Sequence, residues 1–134
     1  MLRILSAMVT ICAVTMTAAA WSQPVTADDE PQVHVVKMVD VSVTEYVFEP
    51  AEITVKPGDT VKFEQTSSTP HNVEFRVVPE GSDPGDQKMG PYLNAPGDTY
   101  EVVIDDRFVL GEHNFVCTPH EFMGMVGKII VAGE

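Results

Sequence analysis

Cys117, His120, Met123 and Met125 fall within nine positions of the stretch NFVCTPHEFMGMVGK, residues 114–128. A thiol so placed can act in three ways. As a nucleophile it needs a neighbouring base and an orienting third group. As a metal ligand it needs partners of matching softness, and as a small buried hydrophobe it needs neither. Pro119 stops a strand and turns the chain, so Cys117 and His120 can meet at one end of a β framework. A second imidazole is available from His71, which sits in the turn Thr-Pro-His-Asn ahead of another strand. One thiolate, two imidazoles and a weak, distant thioether from Met123 or Met125 make up a blue-copper donor set. Each residue alone would more often be structural; together they point to a metal.

The rest of the chain bears on whether that thiol is free. Arg3 precedes Ile4 to Ala20, 17 uncharged and mostly apolar residues followed by small ones, the pattern of an export signal. Cleavage is expected after Ala20 or after Ala27, so residues 1–27 form the leader and residues 28–134 one domain. A retained anchor would need roughly 20 apolar residues, and Ser6, Thr10, Thr15 and Thr17 weaken that alternative. Cys12 lies in the leader behind Ile11, where lipoprotein processing would need Gly or Ala. Removal of the leader leaves Cys117 alone, and an unpaired thiol in an oxidising compartment calls for a reason. The expected location is the periplasm.

The elements that must position these residues are strands. Eight short runs rich in Val, Ile, Phe, Tyr and Thr cover residues 33–39, 43–48, 52–56, 60–65, 72–78, 99–105, 112–117 and 126–132. Turn residues separate them, and no window holds ten residues of helical period. Eight strands in about a hundred residues predict an all-β fold, a Greek-key β-sandwich of two mainly antiparallel sheets. Alternation puts His71, Val73, Phe75 and Val77 on one face and Asn72, Glu74 and Arg76 on the other. Phe115 and Cys117 share the inward face of their strand. Residues 79–98 form a twenty-residue connection with little β character, either a purposeful loop or a solvated insertion. His113 shares the parity of Cys117 but stands four strand residues away, roughly 13 Å, too far for the same metal. His34, in the first strand, is expected to face solvent or a hydrogen-bond partner.

The formal charge is −12. Loss of Arg3 would leave seven Lys plus Arg against twenty Asp plus Glu. Such a field disfavours nucleic acid and anionic lipid and draws basic proteins over a Debye length.

The chain resembles the cupredoxins, the small blue copper proteins, and within them the plastocyanin, pseudoazurin and amicyanin group. The resemblance spans about residues 41–133 and rests on FEPAEITVKPGDTVKF, TPHNVEF and above all FVCTPHEFMGMVGKIIV. It implies His71, Cys117 and His120 as the strong ligands of one copper ion. Plastocyanins and pseudoazurins carry the axial methionine eight residues after the cysteine, here Met125; amicyanins carry it six after, here Met123. The distance to the last strand favours Met125. The resemblance further implies that Asn72 hydrogen-bonds to the cysteine loop and that backbone N–H groups face the thiolate. It also implies that electrons pass through the edge of His120, amid an apolar rim of Pro70, Pro119, Phe122 and Met123. A monomer that meets redox partners, such as a basic cytochrome c or a redox enzyme, is the expected form.

Two other functions compete. Copper nitrite reductases and multicopper oxidases resemble repeated domains of this kind with further histidine-rich copper sites, and one domain with two spare histidines does not supply them. A binuclear oxidase-type centre would need a second cysteine in the loop. A copper carrier or store would work by binding and release, and zinc in the same site would give no colour.

Overall fold

A computed structural model describes residues 30–133; the leader, with both cleavage positions, lies outside the described residues. Eight strands form: β1 (Val33–Ser42), β2 (Glu45–Glu49), β3 (Glu52–Val55), β4 (Thr60–Gln65), β5 (Glu74–Val77), β6 (Thr99–Val103), β7 (Gly111–Val116) and β8 (Val126–Val131). They lie in two four-stranded sheets, ordered β2-β1-β4-β6 and β3-β8-β7-β5. β1–β2, β4–β6, β5–β7 and β7–β8 are antiparallel, whereas β1–β4 and β3–β8 are parallel. The sandwich is therefore all-β and mainly antiparallel, as expected, with a parallel pair in each sheet.

Alternation drives the packing. Along β4, Val61, Phe63 and Gln65 are buried while Thr60, Lys62 and Glu64 are partly exposed. The core joins Val36, Met38, Phe48, Phe63 and Val102 of the first sheet to Val55, Phe75, Phe115, Ile129 and Val131 of the second. Phe115 stands at its centre. The rings of Phe48, Phe63 and Phe75 meet it edge-on, with centroids 4.8, 5.2 and 6.1 Å away, the arrangement aromatic quadrupoles prefer. Gly127 lies opposite Phe115 on β8, and a Cβ there would stand 2.4 Å from the ring.

Two expectations need correction. Val77 is exposed and Glu74 is buried, the reverse of simple alternation. The β5–β7 register slips between Phe75 and Val77, and a slip of this kind turns Val77 to the opposite face; Glu74, ahead of the slip, is held in by the Thr118 hydroxyl and Arg76. The strand itself starts at Glu74 rather than Asn72, because His71 to Val73 pair elsewhere. His71 and Leu93 exchange backbone hydrogen bonds of 3.1 and 2.8 Å, and the Gly90 N–H donates to the Val73 carbonyl at 2.9 Å.

Those bonds show what the 79–98 connection does. It carries a 3-10 turn at Gly85–Lys88, pairs Met89 with Glu74 and Leu93 with His71, and thereby covers the edge of β5. Its lower part is tied to the sandwich by Arg107, which bonds Asp105 and Asp86. The long connection is an ordered flap against the histidine strand.

Candidate metal centre

Cys117 leaves the end of β7 as a 3-10 turn begins at Thr118–Met123, with Pro119 in its first positions and Gly124 closing it in the left-handed region at φ 87°. Proline suits a first turn because its missing N–H has no partner to lose, and glycine reaches positive φ without steric cost. The base of this loop is tied. The Cys117 N–H donates to the Met125 carbonyl at 3.0 Å, the His120 N–H to the Cys117 carbonyl at 3.0 Å and the Met125 N–H to the His120 carbonyl at 3.2 Å. Backbone alone thus fixes Cys117, His120 and Met125 relative to one another.

His71 completes the group from the strand side. Its Nδ1 lies 3.5 Å from Cys117 Sγ and 3.0 Å from His120 Nδ1, and His120 Nδ1 lies 3.4 Å from the same sulfur. Among the described residues, these three form a group of His, Cys, Asp or Glu side chains whose donor atoms all lie within 4.8 Å of one another. Met125 is fully buried in the core, whereas Met123 is 52% exposed. His34 and His113 stand apart from the group. His34 Nε2 donates to Asp59 at 2.8 Å. His113 is saturated: Nδ1–H donates to the Gly111 carbonyl, leaving Nε2 to accept the Ser82 hydroxyl at 2.8 Å.

The surroundings hold these donors in place. Asn72 accepts the Thr118 N–H at 2.8 Å and donates to the Thr118 hydroxyl at 3.0 Å, the bond to the cysteine loop that the resemblance implied. The Thr118 hydroxyl donates in turn to Glu74 at 3.1 Å. Arg76 bonds Glu74 at 3.1 Å and Glu121 at 3.2 Å, so the loop is braced against β5 at a second point. Burial pushes the Cys117 thiol up, opposed by the N–H groups of Asn72 and His120 that face it. Burial, helped by the nearby His71, pushes His120 down. Both effects leave neutral ligands ready for a cation, which makes good the desolvation that each suffers.

Two neighbours escaped the sequence reading. The ring of Tyr46 stacks on His120 with centroids 4.0 Å apart and meets His71 edge-on at 5.6 Å. Tyr46 shares the parity of Phe48 on β2, a signal that an aromatic side chain faces inward at that end. Asp40 accepts a hydrogen bond from His71 Nε2 at 2.8 Å and another from the Thr69 hydroxyl. Nothing local marks Asp40, which is 31 residues from its partner.

The chemistry of the set fits copper. A soft thiolate beside two imidazoles suits Cu(I) and tolerates Cu(II), and no donor is committed to a partner that would exclude a metal.

Comparison with known proteins gives the same answer. Residues 35–132 match the profile of the copper binding proteins of the plastocyanin/azurin family. Chloroplastic plastocyanin of Oryza sativa subsp. indica is 45% identical over 87 residues, 63% of this chain and 54% of that protein; the chain thus spans about half the length of this relative. The oxidised plastocyanin of Dryopteris crassirhizoma superposes with a TM-score of 0.59 at 27% identity, covering 73% of this chain and 99% of that one. Pseudoazurin of Methylobacterium extorquens AM1 gives 0.51 at 33% identity, covering 75% of each. With a family match over most of its length and a thiol and two imidazoles gathered at one end of the sandwich, the chain belongs to the plastocyanin/azurin family of copper binding proteins, a cupredoxin with one copper ion per chain.

Proposed function

We propose that the mature protein is a periplasmic type 1 copper protein that shuttles single electrons, with His71, Cys117, His120 and Met125 as ligands. The observation that carries this is the convergence of His71 Nδ1, His120 Nδ1 and Cys117 Sγ from a loop and from the segment ahead of β5, both tied by hydrogen bonds. Bound copper supplies a one-electron couple between Cu(II) and Cu(I). The protein supplies the rest. Cys117 gives a thiolate, which the N–H groups of Asn72 and His120 stabilise. The two imidazoles enter through Nδ1, and the buried thioether of Met125 completes the set, leaving Met123 for the surface. Because the Asn72–Thr118 bonds and the Cys117–Met125 pairing are already made, little has to reorganise when charge arrives.

His120 leads outward. It is partly exposed, and Pro119, Phe122 and Met123 of its own loop and Pro70 beside His71 are exposed apolar residues, Phe122 fully so. A neutral apolar rim permits close, brief docking over a small area, while the acidic remainder of the molecule favours a basic partner such as a cytochrome c. Burial of Cys117 and Met125 argues for retention of the ion over its release, and so for electron transfer over copper delivery.

Visible and EPR spectroscopy of the copper-loaded protein tests this reading. A thiolate-to-copper band that bleaches reversibly on reduction is expected, and Cys117→Ser should abolish it. Met125→Leu should change the spectrum while Met123→Leu leaves it as it was; the opposite outcome would reassign the axial ligand.

A further inference from the structure

The two imidazoles of the site are held in different ways, and one pair of residues on the opposite sheet does the holding. Asp40 and Tyr46 are direct cross-strand partners on β1 and β2. Tyr46 covers the ring of His120, whereas Asp40 takes the Nε2 of His71. The β1–β2 register shifts just after Asp40, a bulge of the kind that re-aims a side chain. The Thr69 hydroxyl fixes the second carboxylate oxygen. His71 is fully buried, while the Asp40 side chain is about one-quarter exposed.

A carboxylate can only accept, so the proton of His71 must sit on Nε2 and the lone pair on Nδ1. That is the nitrogen turned to the sulfur of Cys117. An aspartate is ordinarily ionised at neutral pH, and here each carboxylate oxygen accepts a hydrogen bond, one from His71 and one from Thr69. A negative oxygen drawing on the Nε2 proton makes Nδ1 a stronger donor and places charge where it favours the more positive ion.

We propose that Asp40 is a positioning residue that fixes the tautomer of His71 and biases the bound copper toward Cu(II). The inference rests on the copper reading above and adds a determinant of the balance between oxidation states.

Asp40→Asn is the central variant, because its amide oxygen can still accept from Nε2 and preserve the fold. Glu45→Gln removes the same unit of charge from an exposed position on β2 and serves as the control. In a redox titration read at one fixed poise, the ratio of oxidised to reduced copper is expected to fall about tenfold in Asp40→Asn, the lower end for losing such a partner. Glu45→Gln should move it far less. An unchanged ratio in Asp40→Asn, or an equal change in the control, would overturn the proposal.

An independent readout uses the wild-type protein loaded with Cu(I), which needs no electron transfer. The imidazole 1H–15N spectrum should show a His71 Nε2–H protected from exchange, and its loss to rapid exchange would also overturn the proposal. A protein that shows this resonance but no reversible colour would defeat the electron-carrier reading and leave the Asp40 contact standing.

Discussion

His71 Nδ1 and His120 Nδ1 stand 3.0 Å apart, and two lone pairs at that distance repel unless a proton or a metal lies between them. Binding therefore couples to protonation at each donor. Burial holds the proton on Cys117 above the ordinary thiol range, so at neutral pH copper must displace it. The sign follows directly. Copper affinity should rise by about tenfold per pH unit while the thiol remains protonated, as expected for one proton released per ion, and should level off above the thiol's own range. His120 is pushed below the ordinary imidazole value and adds to the slope only on the acid side. Chelator competition between pH 6 and 8 measures this slope. In Cys117→Ser the one-proton contribution of the thiolate should vanish together with the colour. Most of this was legible locally: Cys117, His120 and Met125 share one loop of nine residues, and chemistry that compact leaves a readable spacing. Asp40 and Tyr46 were not legible as site residues, because they approach the imidazoles only after β1 and β2 pair and the sheets stack.

Among the elements, β8 and β7 carry the tightest constraint. Gly127 sits beneath the Phe115 ring, where a Cβ would also meet the Ala51 carbonyl at 3.0 Å. Gly127→Ala should therefore destabilise the fold by about 1–3 kcal/mol, the usual cost of overpacking. Urea denaturation is the measurement, and the site spectrum should broaden because β8 follows directly on Met125. Alternation located all eight strands to within a few residues, since one inward face of Val, Ile and Phe leaves a period of two. It misjudged Val77, because a register slip depends on the partner strand and leaves no mark in its own sequence, and Glu74, because the Thr118 hydroxyl that bonds it arrives from a distant loop. The two parallel pairings were equally invisible: an antiparallel hairpin announces itself through a turn, whereas β1–β4 and β3–β8 join segments far apart in the chain. The 79–98 flap had the same difficulty, for its value lies in Leu93 meeting His71.

Across the whole molecule the charge of −12 sets one expectation. Association with a basic redox partner should slow markedly as ionic strength rises from about 0.01 to 0.15 M, the range over which the screening length shrinks from roughly 30 to 8 Å; stopped-flow kinetics would show it. At the end away from copper, Asp59 is only 4% exposed. It accepts the N–H groups of Gln32 and Lys56 at 2.8 and 2.9 Å as well as His34. Burial would raise its pKa, but these bonds more than offset that and hold the group below the ordinary carboxylate value. A depressed folded value means stability that is fully present above about pH 4 and lost as pH falls through the lower, folded value. Asp59→Asn should cost about 2 kcal/mol at pH 7, and the two proteins should converge in strong acid, as equilibrium unfolding across pH would record. The strand order β3-β8-β7-β5 carries a last implication, about time. β8, the last strand of the described residues, is an interior member of its sheet, so that layer cannot close before Val126–Val131 are in place. A growing chain therefore leaves the donors of the Cys117 loop unfixed until residues 126–131 have joined β3 and β7, and only then is the ion's seat complete.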